Sequence, residues 1–209
     1  MKPHIGPYGH PEISMHTPSL ARYVSCLEAG DLSGVGELML DSARKLASVG
    51  ADFLICPDNT IHQAFDYVLP RSPLPWLHIA EVVASEAARR GFTRVGLTGT
   101  RWLVNSDVYL QKLSAHGVAC VKPGTADGVE IGRIIMEELT QGVFTPAALE
   151  TFQAVVRRFQ AQDCQAVVMG CTEIPLILND GNSALPTLDS TRLLARAALQ
   201  KALEKREPA

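Results

Sequence analysis

Two stretches of the chain, FLICPDNTIHQ (residues 53–63) and VVMGCTEIPLI (residues 167–177), share one pattern. In each, a short apolar run ends in a small polar cluster and is followed by a segment of helical character. A continuous apolar run of about four to eight residues is typical of a strand buried on both faces of a parallel sheet. The two stretches therefore predict equivalent points in two related α/β lobes.

Segments with helix and strand patterns alternate along the rest of the chain. Glycine, proline and capping residues predict helices at about 17–30, 33–50, 61–67, 78–90 and 103–115, on either side of Thr145-Pro146, and from about 189. Further strands are expected at 94–100, 118–121 and 185–188. Strands that alternate with helices predict mostly parallel sheets flanked by helices.

A proline-rich stretch, RSPLPW (residues 71–76), is the predicted boundary between the two lobes. Lobe 1 is expected to comprise residues 1–72 plus 185–209, and lobe 2 residues 73–184. The length of 209 residues also permits one large domain.

The composition excludes several classes of protein. With 20% charged residues and a net charge of −3, nothing indicates a nucleic-acid partner. No apolar run is long enough to span a bilayer, and no secretion signal is recognisable, so the sequence predicts no membrane partner and a cytoplasmic location. The five cysteines form no C-x-x-C pair and the histidines lack metal-ligand spacing, so free thiols and no metal site are expected.

The two polar clusters are expected to share one site, because ligands bind beyond the carboxyl ends of parallel strands. Asp58 and Cys171 would then face each other across a cleft. A helix N-terminus would lower the pKa of the Cys171 thiol and suit it to proton transfer or nucleophilic attack, although a small buried hydrophobe is the alternative. Asp58 is either a base that faces the cleft or an N-cap.

The neighbouring polar side chains are candidates for binding a carboxylate. Asn59, Thr60 and Thr172 have suitable amide and hydroxyl groups, but such residues are also common in turns and caps. His62 either orients a ligand or lies on a helix. Thr100 ends a third strand at the same sheet edge, as a carboxylate contact or part of a tight turn.

These clusters resemble the two motifs of the aspartate/glutamate racemase superfamily. PDNTIH (residues 57–62) is similar to the first motif, Pro-Cys-Asn-Thr-Ala-His, and GCTE (residues 170–173) matches the second, Gly-Cys-Thr-Glu. The resemblance extends from about Pro11 to the last helix. It implies two pseudo-symmetric lobes with the substrate in the cleft between them.

The resemblance also implies a function. Two bases, Asp58 and Cys171, would act on opposite faces of one carbon of an amino acid of the aspartate or glutamate type, without pyridoxal phosphate or another cofactor. It further implies a homodimer. The substrate or its carboxylate would be contacted by Asn59, Thr60, Thr100, Thr172, His62 and Glu173.

Two departures from the family pattern leave alternatives open. Asp58 occupies the position of the first catalytic cysteine, and a carboxyl with a pKa of about 3.9 seldom holds a proton to donate unless burial raises its pKa. The alternatives are a single-cysteine decarboxylase or isomerase of a small dicarboxylate, and a non-catalytic small-carboxylate binding protein. Because MKPHIGPYGH (residues 1–10) supplies neither a strand nor a glycine-rich turn, the first strand of lobe 1 is expected to be absent.

Overall fold

A computed structural model describes residues 8–204 of the chain. Within this range the strands form two parallel sheets, one with the order β1-β2 and one with the order β4-β3-β5-β6. The strands are β1 (Leu54–Ile55), β2 (Trp76–Leu77), β3 (Arg94–Gly99), β4 (Ala119–Val121), β5 (Ala166–Gly170) and β6 (Thr187–Asp189).

The helices alternate with these strands, as the sequence predicts. They are α1 (Leu20–Glu28), α2 (Leu32–Ser48), α3 (Phe65–Val68), α4 (Ile79–Arg89), α5 (Arg101–Asn105), α6 (Val108–Ala115), α7 (Thr125–Glu137), α8 (Pro146–Gln160) and α9 (Ser190–Glu204). Short 3₁₀ segments cover Thr60–Ala64, Leu69–Arg71, Leu139–Gln141 and Ile174–Leu176. The helix predicted at 103–115 is divided into α5 and α6, because the backbone is extended at Ser106.

The larger sheet is buried on both faces. β3 and β5 run in parallel register from Val95 opposite Ala166 to Gly99 opposite Gly170. Every residue of β5 is buried. Side chains from α7 and α8 pack on one face, and side chains from α4 and α6 on the other. This layering confirms the interpretation of the apolar runs at β3 and β5 as buried strands. The same interpretation is wrong for the run before Asp58, because β1 has only two residues and Ile55 is exposed.

The smaller sheet pairs Leu54 with Trp76 and Ile55 with Leu77. Its core is formed with α1, α2, α3 and the 3₁₀ segment that follows β1. The expectation of an absent first strand concerns the amino terminus, of which residues 1–7 lie outside the described range. Between residues 8 and 204, this sheet consists of β1 and β2.

The division of the chain into lobe 1 (residues 1–72 plus 185–209) and lobe 2 (residues 73–184) stays a prediction. Two strands, β2 and β6, pair in the sheet to which this division would not assign them. β2 lies in the first sheet, because the Pro75 carbonyl accepts a hydrogen bond from the Leu54 N–H at 2.9 Å and leads directly into the pairing. β6 lies in the second sheet, where Leu188 pairs with Val168. The proline-rich stretch is therefore part of the first sheet's edge.

Two expectations about the chain as a whole can be compared with the described residues. All five cysteines are free thiols, as predicted. Across residues 8–204, no helix combines the length and the apolar character needed to cross a membrane.

Close packing at the carboxyl end of β5 yields a first prediction. A Cβ atom at Gly170 would lie 2.6 Å from the Thr98 carbonyl oxygen and 2.6 Å from a methyl carbon of Leu103. Gly170→Ala should therefore destabilise the protein by about 1–3 kcal/mol through overpacking. The change is measured as the free energy of unfolding in urea.

The matched control is Gly128→Ala in α7, where the nearest contact of the added Cβ is an ordinary 3.6 Å. This variant should be up to about 1 kcal/mol more stable, because alanine favours a helix over glycine. A Gly170→Ala variant as stable as the wild type would contradict the close approach of β3 and β5.

Candidate active site

The carboxyl ends of β1, β3 and β5 open onto one cavity of about 140 Å³. Seven of the eight predicted site residues line it, namely Asp58, Asn59, Thr60, Thr100, Cys171, Thr172 and Glu173. His62 is the exception. The two polar clusters, which are more than 100 positions apart in the sequence, therefore do form one site.

Asp58 both caps a helical segment and faces the cavity. Its Oδ1 accepts hydrogen bonds from the backbone N–H groups of Thr60 at 2.8 Å and Ile61 at 3.4 Å. Burial raises the pKa of the Asp58 carboxyl, the two backbone donors oppose this rise, and the Glu173 carboxylate adds to it. The two interpretations of Asp58 are thus compatible, and its pKa is shifted in the direction that a proton donor requires.

Cys171 rests as a neutral thiol. Its S–H donates a hydrogen bond to Oε2 of Glu173 at 2.9 Å. Burial raises the pKa of the thiol well above its usual value, and the Glu173 carboxylate raises it further, with a smaller contribution from Asp58. The carboxyl of Asp58 and the thiol of Cys171 line the same cavity.

The expectation of a lowered Cys171 pKa is wrong. It assumed a helix N-terminus after β5, but the structure has only the 3₁₀ segment Ile174–Leu176 there. One such turn carries little of the dipole that stabilises a thiolate. Burial of the thiol decides the direction of the pKa shift, and the neighbouring Glu173 carboxylate adds to it.

Asn59 connects the first polar cluster to the larger sheet. Its Oδ1 accepts a hydrogen bond from the Tyr109 hydroxyl at 2.6 Å, and its Nδ2 donates to the Ser190 hydroxyl at 3.0 Å. The Ser190 hydroxyl in turn donates to the Met169 carbonyl at 2.7 Å. The amide that was predicted to bind a carboxylate is therefore engaged in holding the loop after β1 against the end of β5.

Thr60, which follows β1, and Thr100, which follows β3, form a hydroxyl pair between the two sheets' strand ends. Their Oγ1 atoms are 2.8 Å apart, and Oγ1 of Thr100 also accepts from the Leu103 N–H at 3.2 Å. The pair has two hydroxyl hydrogens and needs one of them for its own bond. One O–H group thus remains for a ligand oxygen, and the exposed side chain of Thr172 lies on the same cavity.

His62 lies behind the cavity wall. Its Nδ1–H donates to the Asp58 carbonyl at 2.7 Å, and its Nε2 accepts from the Ile79 N–H at 3.3 Å. Burial lowers the pKa of the His62 imidazole to about 3, so the ring is neutral. Both ring nitrogens are engaged with the backbone, and His62 therefore positions the Asp58 main chain instead of contacting a ligand.

Tyr109 and Ser190 are site-supporting residues that sequence reasoning missed. Both are buried, and each bonds to Asn59 from a distant part of the chain. Tyr109 lies in the apolar pattern of α6, where nothing marks its hydroxyl, and Ser190 stands at the start of α9 like an ordinary capping residue. In the range from 8 to 204, no group of three or more histidine, cysteine or acidic side chains is arranged to hold a metal ion.

The fold and the cavity define an α/β protein with two parallel sheets flanked by helices, in which a carboxyl that follows β1 and a thiol that follows β5 line one cavity. The profile of the family described as Asp/Glu/Hydantoin racemase matches residues 1–198. The chain therefore belongs to the Asp/Glu/hydantoin racemase family.

Individual relatives agree with this assignment. The broad specificity amino-acid racemase RacX of Bacillus subtilis is 24% identical over 164 residues, which are 77% of this chain and 69% of that protein. A crystal structure of a candidate Asp/Glu racemase from Yersinia pestis has a TM-score of 0.86 at 29% identity, covering 95% of this chain and 87% of that chain. PH1733, an aspartate racemase homologue from Pyrococcus horikoshii, has a TM-score of 0.80 at 26% identity with the same coverage.

The hydrogen bond between Tyr109 and Asn59 gives a second prediction. Tyr109→Phe leaves the buried Oδ1 of Asn59 without its donor, which should cost about 1–3 kcal/mol in the free energy of unfolding. Tyr67→Phe is the control, because the Tyr67 hydroxyl donates to the exposed carboxylate of Glu37 at 2.8 Å. The control should change stability by less than about 0.5 kcal/mol. Equal effects of the two substitutions would show that the buried bond is not required.

Proposed function

We propose that this protein interconverts the two configurations at the α-carbon of an amino acid without pyridoxal phosphate. Asp58 and Cys171 are the two proton-transfer groups. The observation that carries the proposal is that both groups line one cavity and that burial raises the pKa of each, so that each can hold a proton. Membership of a racemase family supports it, as do relatives that are named an amino-acid racemase and an aspartate racemase homologue.

In one direction, ionised Asp58 is the base. Its carboxylate removes the α-proton, while the S–H of Cys171 delivers a proton to the opposite face of the same carbon. The products of this step are the inverted amino acid, a protonated Asp58 and a Cys171 thiolate, so the protons balance. The hydroxyl groups of Thr60, Thr100 and Thr172 hold the substrate carboxylate and stabilise the negative charge that builds up in the transition state.

In the other direction, the thiol side must supply the base. The reaction then runs as the reverse of the first step: the Cys171 thiolate removes the α-proton, and protonated Asp58 donates a proton to the opposite face, which restores the thiol and the ionised carboxyl. Glu173, which the family resemblance marks as a substrate contact, accepts the hydrogen bond of the restored S–H group in this account.

The carboxyl of Asp58 can replace a thiol in this scheme because of its surroundings. In water the carboxyl group would be ionised at neutral pH and would have no proton to return. Burial and the nearby Glu173 carboxylate favour the protonated form, and the two backbone N–H donors keep the ionised form accessible. General acid–base catalysis is most efficient when both protonation states are available.

One alternative enzyme function has an observation in its favour. A neutral Cys171 thiol is itself suited to protonate one face of an intermediate, as in a single-cysteine decarboxylase or isomerase. In that case Asp58 would serve only as the cap of the segment Thr60–Ala64. The non-catalytic binding protein remains the alternative outside enzymes. The homodimer and the cytoplasmic location stay predictions.

The test is loss of the α-proton signal in deuterium oxide, followed by proton NMR with both enantiomers of a panel of amino acids. The wild type should exchange the α-proton of both enantiomers of its substrate. Cys171→Ala and Asp58→Asn should each lose about 100-fold or more in racemisation, because each removes one proton-transfer group. Asp58→Asn should also lose exchange from one enantiomer selectively.

Cys164→Ala is the control, since Cys164 is a buried core thiol that does not line the cavity. It should keep the wild-type exchange rate. A folded Cys171→Ala protein that exchanges at the wild-type rate would refute the role of the thiol. Release of carbon dioxide from a dicarboxylate without amino-acid exchange would favour the decarboxylase, and ligand-induced thermal stabilisation without turnover would favour the binding protein.

A further inference from the structure

The rest of the cavity lining, beyond the polar clusters, is built largely from hydrocarbon. α1 places Leu20, Tyr23, Val24 and Leu27 on it, at the i, i+3, i+4 and i+7 spacing of one helical face. The ring of Trp102 and the side chains of Ile135 and Met136 continue this apolar wall.

Two polar side chains belong to this wall. Tyr23 is buried, and burial raises the pKa of its hydroxyl to about 12, so Tyr23 adds no charge to the wall. Thr140 also lines the cavity, but its hydroxyl donates to the Met136 carbonyl at 2.8 Å. A substrate side chain on this wall would find few partners for hydrogen bonds.

The charges around the cavity are acidic. Among the lining residues, the charged side chains are Asp58 and Glu173, and within the described range the lining includes no lysine, arginine or histidine. Arg101 follows Thr100, but its guanidinium lies 4.5 Å from the ring centre of Trp102 and 3.9 Å from the Glu28 carboxylate. Its side chain is exposed to solvent.

These surroundings discriminate between the two carboxylates of an acidic amino acid. The α-carboxylate can be held by the threonine hydroxyls, and the α-ammonium is attracted by the acidic groups. A side-chain carboxylate would have to leave water for an apolar wall near two acidic groups, and the lining residues of the described range provide no cation to pair with it. An unpaired buried charge is strongly unfavourable. An apolar side chain gains free energy from the same transfer.

We propose that the site selects amino acids with an uncharged, apolar side chain, which packs against α1, Trp102 and Met136. This inference rests on the proposed racemase function and differs from the acidic side chain that the family resemblance implies. The cavity of about 140 Å³ is close to the ~150 Å³ of an engineered cavity that holds benzene. Because the same cavity must also hold the α-carboxylate and the α-ammonium, its volume favours a compact side chain.

Binding and turnover are measured separately on the wild-type protein. Binding is followed as thermal stabilisation by L-valine, L-leucine, L-methionine, L-aspartate, L-glutamate and L-lysine over a concentration series, and turnover as α-proton exchange with the same compounds. Leucine or methionine should bind at least about tenfold more tightly than aspartate, glutamate and lysine. Equal or tighter binding of a charged amino acid, or binding of none of the six, would overturn the inference.

The two readouts separate this inference from the proposed function. Selective binding of leucine or methionine without exchange supports the side-chain class and contradicts the racemase. Exchange restricted to aspartate, glutamate or lysine supports the racemase and contradicts the side-chain class.

A gain-of-function variant tests the apolar wall directly. Val24→Arg places a cation on the half-buried cavity face of α1 and should shift the ratio of glutamate to leucine affinity by about tenfold or more towards glutamate. Ser25→Arg is the matched control, because Ser25 is exposed, adjacent in sequence and outside the cavity lining. It should leave the ratio unchanged. An equal shift in both variants would attribute the effect to net charge and contradict the assignment of the wall.

Discussion

The chemistry of this protein depends on the burial of a carboxyl group that nevertheless accepts two backbone hydrogen bonds. Burial and Glu173 favour the protonated form of Asp58, whereas the N–H groups of Thr60 and Ile61 favour the ionised form. Because these two influences on its pKa oppose each other, a carboxyl can replace the thiol of the family pattern. Several contacts hold the loop that carries Asp58 in this position. His62 holds the Asp58 carbonyl, and Asn59 connects the same loop to the end of β5 through Ser190.

The second proton-transfer group is maintained by a different arrangement. Gly170 allows β5 to end in close contact with the end of β3, which brings Cys171 to the cavity edge. The Glu173 carboxylate accepts the hydrogen bond of the thiol and favours its protonated form. The two sides of the site thus differ in chemistry, with a carboxyl after β1 and a thiol after β5.

The sequence predicts the parts of the molecule that depend on local patterns. The buried strands β3 and β5 and the meeting of the two polar clusters follow from apolar runs that end in polar residues. β2 could not be predicted, because a two-residue strand after prolines forms only when Pro75 meets Leu54. The bonds of Tyr109 and Ser190 to Asn59 join residues that are far apart in the chain. The pKa of Cys171 depended on the length of the following helical segment and on the orientation of Glu173, and neither is readable from the motif.

In this account, one part of the cavity lining carries out the reaction and another part selects the substrate. In the proposed mechanism, the motif residues at the strand ends supply the proton-transfer groups and the hydroxyl donors, which act at the α-carbon. The face of α1 and the side chains of Trp102 and Met136 form the apolar part of the cavity lining. A change of substrate within such a fold therefore requires changes in this apolar wall, while the motif residues can stay the same.

The most direct test of the account is a titration of the Asp58 carboxyl by ¹³C NMR, with Asp58→Asn used to assign the signal. The account predicts a midpoint above the ordinary value of about 3.9 and a lower midpoint in Glu173→Gln, because that variant removes the neighbouring negative charge. Since the folded-state pKa is raised, ionisation of Asp58 should also lower the stability of the wild type relative to Asp58→Asn as pH rises from the ordinary value through the folded midpoint. A midpoint at or below about 3.9 would contradict the account, since Asp58 would then have no proton to return to the substrate.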